Sequence, residues 1–217
     1  MTPRSAPAKS GKAGKKVIAL AGESRYDRQV LRHLIPVLHP GRCPDFIEIK
    51  EQVKISQATT QLTPRIDKLR RLAQSQAKLK NATRVGVALH VDLDRVTDDK
   101  YTKDRETIAA ELRGAFTCQS ALALAAVETE AWLLLFPEAF TKFRAKWVIP
   151  EKDHRRDCGL EKDPKKYLER VLGGQKYSET DAPEIMEKAV KHGYVTGSLS
   201  GSNRSFTDFV DELQTWR

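Results

Sequence analysis

The stretch Val85-Gly86-Val87-Ala88-Leu89-His90-Val91-Asp92-Leu93-Asp94 runs from an apolar segment straight into two carboxylates. On a strand, side chains two apart share a face, so Asp92 and Asp94 are expected to aim at one spot just past the run. Two adjacent like charges repel unless something positive sits between them. Carboxylate oxygens suit a hard divalent cation: magnesium, manganese or calcium. Taken alone, Asp-x-Asp also fits a turn in which each carboxylate caps an amide or faces water.

The elements around the pair give it weight. Val17-Ile18-Ala19-Leu20-Ala21 is a short apolar run before Gly22-Glu23-Ser24. Ser24 and Asp27 have the spacing of a capping pair, and Val30, Leu31, Leu34 and Ile35 then repeat on one helical face, with Pro36 and Pro40 expected to stop the helix. A second strand is expected at Phe46-Ile47-Glu48-Ile49. Thr63-Pro64 reads as N-cap and first-turn proline of a helix with Ile66, Leu69, Leu72 and Leu79 inward and Arg65, Lys68, Arg70, Arg71, Lys78 and Lys80 outward. The run ending at Asp92 is the third strand, and a polar loop from Arg95 to Lys103 leads to a helix around Arg105 to Phe116.

Ala121-Leu122-Ala123-Leu124-Ala125-Ala126-Val127 fits a buried helix or a buried strand equally well by periodicity. The alternation of elements favours a strand, with the next helix starting near Glu128 and running through Trp132, Leu133 and Leu134. Strands alternating with helices imply an α/β fold with a parallel sheet of about four strands and right-handed crossovers. Past Pro150 the chain is densely charged to residue 166. Helices are expected at Lys165 to Leu172 and Pro183 to His192, then a last amphipathic segment carries Phe206, Phe209, Val210 and Leu213. The expected organisation is a basic tail over residues 1–15, an α/β core over 16–150, and a C-terminal helical extension over 151–217 packed on that core.

In this arrangement Glu23 follows the first strand, Asp92 and Asp94 the third, and Glu128 and Glu130 the fourth. Loops at the carboxyl ends of parallel strands share one edge, so these acids converge there. So much negative charge at one edge predicts a bound cation. Glu23, Glu128 and Glu130 also have a simpler account as helix N-terminal acids. If their segment is helical throughout, Glu128 and Glu130 point to different sides and at most one reaches the site.

Of the net charge of +9, five charges come from Arg4, Lys9, Lys12, Lys15 and Lys16, with no acid among the first 16 residues. This tail is too polar to bury a core, and it is expected to be disordered and suited to gripping phosphate backbones. Cys43, Cys118 and Cys158 form no metal-ligand spacing and read as reduced thiols. The absence of a signal-peptide core and of any bilayer-length apolar run predicts a cytoplasmic, non-membrane protein. No Ser/His/Asp or Cys/His nucleophile arrangement is apparent, and Gly22 alone makes no phosphate-cradling loop. Haloacid dehalogenase-type phosphatases carry their Asp-x-Asp after the first strand, which does not match. A metal-dependent nucleotide-sugar transferase, which uses Asp-x-Asp after several strands, stays open but leaves Glu23 without a task.

The glutamate of Ala21-Gly22-Glu23-Ser24 after the first strand, with Asp92-Leu93-Asp94 after the third, resembles the TOPRIM domain of topoisomerases, primases and overcoming-lysogenization-defect nucleases. Val127-Glu128-Thr129-Glu130-Ala131-Trp132-Leu133-Leu134, Asp163-Pro164-Lys165-Lys166-Tyr167-Leu168 and Ser205-Phe206 with Phe209 resemble more narrowly a bacterial TOPRIM-like family, domain of unknown function 4276. The resemblance implies a TOPRIM-like (Rossmann-like) fold and a magnesium- or manganese-dependent nuclease. Asp92 and Asp94 then bind metal, Glu23 serves as general base or further ligand, and Glu128 or Glu130 completes a second metal site. Lys165 or Lys166 neutralises phosphate, and Arg70 and Arg71 lie on a basic helix face suited to nucleic acid. Implied partners are nucleic acid, DNA rather than RNA, and a targeting protein such as an ATPase, in a phage-defence or mobile-element setting. The alternative is a regulatory module that binds nucleic acid without cutting it.

Overall fold

The computed structural model describes residues 14–52, 55, 61–116 and 118–216. The basic segment with Arg4, Lys9 and Lys12 lies outside the described residues. Four strands, β1 (Lys16–Ala21), β2 (Asp45–Glu48), β3 (Arg84–Asp92) and β4 (Ser120–Ala125), form one all-parallel sheet in the order β2-β1-β3-β4. The expected α/β class is therefore the observed one. The ambiguous Ala/Leu run is a strand, paired with β3 from Val87↔Ser120 to Asp92↔Ala125.

Helices cover both faces, as a parallel sheet requires. Alternate residues Val17, Ala19, Ala21, Val87, Leu89, Val91, Leu122 and Leu124 pack under α2 (Leu62–Leu79) and α3 (Asp99–Ala115). Their neighbours Ile18, Leu20, Ala88, Ala121, Ala123 and Ala125 face α1 (Arg25–Leu38), α4 (Glu130–Leu133), α5 (Pro137–Phe143), α6 (Pro164–Val171), α7 (Ala182–Lys191) and α8 (Arg204–Gln214). The alanines on this face leave room for large rings: Trp132, Phe136, Phe140, Phe206 and Phe209 are all essentially fully buried. The C-terminal helices thus build one layer of the sandwich, with α7 against α1 and α8 against β4. Among the described residues no helix is long and apolar enough to cross a membrane, and the three cysteines are free.

A buried polar network ties the distant segments together. Ser205 Oγ accepts from the Trp132 indole at 2.8 Å and from the Ala126 amide at 3.0 Å, and donates to Asn203 Oδ1 at 2.7 Å. Trp132 also meets Phe206 edge-on at 5.4 Å and stacks on Phe209 at 5.5 Å. The Glu-x-Glu-Ala-Trp segment and the Ser-Phe segment, joined by a bond between residues 73 apart, are one packing unit.

Several boundaries differ from the sequence expectation. Pro36 does not stop α1. It sits exposed in the last turn, and the helix closes at Leu38 with the His39 amide bonded to Ile35 O at 2.8 Å. Thr63 is not the N-cap of α2, which begins at Leu62 behind Gln61; buried Leu62 draws the extra residue into the helix. α3 begins at Asp99, well before Arg105, because Asp98 caps it by accepting the Tyr101 amide at 2.7 Å. The helix expected from Glu128 is only the short α4. Val127 stands at φ 58°, a strained conformation for a β-branched residue, and turns the chain sharply before it.

Candidate metal centre at the carboxyl edge of the sheet

The site begins where β1 ends. Gly22 lets α1 start close against β3: a Cβ there would lie 3.1 Å from Asp27 Cβ and 3.4 Å from His90 Cβ. Ser24 then caps α1, its hydroxyl accepting the Tyr26 and Asp27 amides at 3.1 Å, while Asp27 Oδ2 accepts the Ser24 amide at 2.8 Å. The buried Arg28 guanidinium donates to Ser24 O at 2.8 Å and holds the turn from within. This capping box fixes the Asp27 carboxylate at the mouth of the β1–α1 turn.

β3 supplies the opposing groups. His90 and Asp92, two apart on one face, point toward Asp27. Nδ1 of His90 lies 3.8 Å from Asp27 Oδ2, and Nε2 lies 3.9 Å from Asp92 Oδ1. One ligand atom from each of Asp27, His90 and Asp92 falls within 4.8 Å of the others. Asp27, His90 and Asp92 could therefore hold a metal ion between them. Two buried atoms at the centre, His90 Nδ1 and Asp92 Oδ1, have no hydrogen-bond partner. A cation is one group that would satisfy both.

In front of this group lies a cleft of about 240 Å³ lined by Glu23, Tyr26, Asp27, Asp92, Thr129, Glu130 and Lys165, among others. Thr129 Oγ1 reaches His90 Nε2 at 2.9 Å and Asp27 Oδ1 at 3.5 Å. Lys165 bridges Glu128 at 2.7 Å and Glu179 at 2.6 Å. Glu130, 3% exposed, accepts the Tyr177 hydroxyl at 2.9 Å.

The electrostatics record an excess of negative charge. Burial, reinforced by the charges of Asp27, Glu128 and Glu23 and opposed by Lys165, pushes the Asp92 carboxyl up to about 8. Its side chain is 31% exposed overall, but Oδ1 is fully enclosed. Burial and the neighbouring Glu128 push Glu130 up to about 7. For Lys165, burial disfavours the charge, but hydrogen bonds to Glu128 and Glu179 more than offset it and hold the ammonium above its ordinary range.

The structure thus gathers Glu23, Asp92, Glu130 and Lys165 around one cleft, with Glu128 behind Lys165 as its ion-pair partner. Asp94 is elsewhere. β3 ends at Asp92, so the shared-face argument does not extend to Asp94, which is exposed at φ 56° with its amide on Val127 O at 3.0 Å. Lys166 is exposed and pairs with Asp163 at 2.7 Å. Arg70, paired with Asp67 at 3.2 Å, and the exposed Arg71 are on α2, across the sheet from α1.

His90, Asp27 and Thr129 are not among the site residues expected from the sequence, although Asp27 stands where many TOPRIM proteins also carry an acid. One signal was available: His90 is the only ionisable side chain between Val85 and Val91, two positions before Asp92 and so on its face. No family model, no curated protein and no solved structure matches this chain.

Proposed function

We propose that this chain is a metal-dependent, TOPRIM-like phosphodiester-cleaving enzyme acting on nucleic acid at the Asp27–His90–Asp92 cleft. The observation that carries the reading is the convergence of these three side chains within 4.8 Å at the carboxyl edge of a parallel sheet, where open α/β sheets bind ligands. The orphaned His90 Nδ1 and Asp92 Oδ1 fit a magnesium or manganese ion held by Asp27, His90 and Asp92, with Glu23 at the rim of the same cleft. Such an ion activates water and stabilises the leaving oxygen of a phosphodiester.

The chain's own groups supply the rest. Lys165, locked by Glu128 and Glu179, presents a fixed positive charge in the cleft for a phosphate oxygen. Glu130, with its carboxyl near 7 and its position set by Tyr177, can take or give a proton at neutral pH. Thr129 holds the imidazole in place from behind. Targeting by a partner such as an ATPase, in a phage-defence or mobile-element setting, belongs to the same proposal.

The test is cleavage of single- and double-stranded DNA and RNA by the purified chain with added magnesium or manganese. The expected result is ion-dependent cleavage that falls at least about 100-fold in Asp92→Ala. Cleavage unaffected by that substitution sinks the assignment.

A second reading, nucleic-acid binding without cleavage, is favoured by α2, where Lys68, Arg71 and Lys78 are exposed, with exposed Lys80 just past its end. Salt-sensitive binding that survives Asp92→Ala, with no cleavage under any ion, would select it.

A further inference from the structure

We propose that His90 makes this centre a nitrogen-ligated site for a first-row transition ion, manganese through zinc, in preference to magnesium. This rests on the reading of the cleft as a metal centre and adds the class of ion.

The starting point is the cost of the histidine. His90 is 0% exposed in the middle of β3, its ring edge-on to Trp132 at 5.9 Å. A purely structural imidazole in such a place pairs both ring nitrogens, because an unpartnered buried polar atom is costly. Here only Nε2 is anchored, 2.9 Å from Thr129 Oγ1, and Nδ1 has no partner.

The ring lies between two carboxylates, with Nδ1 on the Asp27 side and Nε2 3.9 Å from Asp92 Oδ1. Thr129 Oγ1, which anchors Nε2, also lies 3.5 Å from Asp27 Oδ1. Nδ1 lies 3.8 Å from Asp27 Oδ2, too far for a hydrogen bond. With the ring proton on Nε2, the Nδ1 lone pair would be open to a cation beside Asp27, and a side chain that holds the ring's far nitrogen, as Thr129 does, is the kind of partner that orients a metal-ligating histidine.

Ligand chemistry then separates the ions. Magnesium prefers oxygen ligands and dehydrates reluctantly, whereas imidazole suits the later first-row metals and carboxylate suits manganese. Two carboxylates with one imidazole favour the manganese-to-zinc series and give magnesium one poor ligand.

The experiment uses the full chain stripped of metal and loaded with manganese. Electron spin-echo modulation is expected to show histidine nitrogen coupled to the bound ion, and calorimetric competition a preference for manganese over magnesium of at least about tenfold. His90→Ala is expected to remove the nitrogen coupling and collapse the preference. Manganese bound without nitrogen coupling in the unaltered chain overturns the inference, and this reading needs no variant to fold. Equal affinity for the two ions overturns it as well. Failure to bind either ion overturns both this inference and the metal-centre reading beneath it. Nitrogen-coupled manganese in a protein that cuts no nucleic acid supports the inference and removes only the nuclease proposal.

Discussion

Asp94 and Val127 hold each other at the rim of the fold: the Asp94 amide donates to Val127 O at 3.0 Å, and both residues are left-handed, at φ 56° and 58°. The Val127 amide in turn donates to Arg95 O at 2.7 Å. The β3–α3 and β4–α4 loops are thereby stitched together, which turns Asp94 outward and brings Thr129 and Glu130 inward. Asp94→Asn, which tolerates the left-handed conformation, is expected to bind manganese within about threefold of the unaltered chain. Asp92→Asn is expected to lose at least about thirtyfold. Calorimetry on the two variants checks this, and equal losses would return Asp94 to the site.

The raised Asp92 carboxyl has a consequence for stability. The folded protein binds this proton more tightly than the unfolded chain, so the contribution to stability is present at low pH and is lost as pH rises from about 4 to about 8. Glu130, raised to about 7, acts in the same direction. The metal-free protein is expected to melt at progressively lower temperature between about pH 5 and about 8. Asp92→Asn should flatten that decline, and added manganese should reverse it at the upper end. A melting temperature that climbs over this range would contradict the electrostatic account.

The two adjacent lysines are expected to part company. Lys165 stands in the cleft between Glu128 and Glu179, and Lys166 points to solvent against Asp163. Lys165→Ala is expected to slow cleavage by about 100-fold, the scale of losing one fixed electrostatic group. Lys166→Ala should stay within about twofold, as an exposed ion pair contributes little. Cleavage rates at saturating metal distinguish them.

Gly22→Ala tests the close approach of α1 to β3. The added methyl would stand 3.1 Å from Asp27 Cβ, so Asp27 must give by a few tenths of an ångström, while His90 Cβ at 3.4 Å is met at about ordinary van der Waals contact. A loss of about 1–3 kcal/mol in denaturant unfolding is expected, the usual cost of overpacking. Metal affinity should fall with it. Full stability with weakened metal binding would show that the methyl moves only the ligands.

Much of the architecture was legible in the order of apolar runs. Val17 to Ala21, Phe46 to Ile49 and the run ending at Asp92 are strands because they are short, apolar and separated by helical repeats. The Ala121 to Val127 run was decidable only from that alternation. Once the sheet is parallel, Glu23, Asp92 and Glu130 must share its carboxyl edge, since every strand ends there. Helix boundaries were less legible: the Asp98 cap and the tolerated Pro36 depend on single hydrogen bonds and on exposure.

What the sequence by itself determined is therefore the sheet, its edge and an acidic site upon it. Only the tertiary structure decided which acids meet and what joins them. The β3–β4 ladder ends at Asp92 opposite Ala125, and the left-handed turn at Asp94 takes it out of the strand geometry that spacing alone assigned to it. His90 and Asp27 belong to a strand and a helix more than 60 residues apart, brought together by the Gly22 approach, and their proximity has no counterpart in local spacing. Period and order follow from local conformational preference, but a ligand set is a property of side-chain positions to within an ångström, and packing across the sheet sets those.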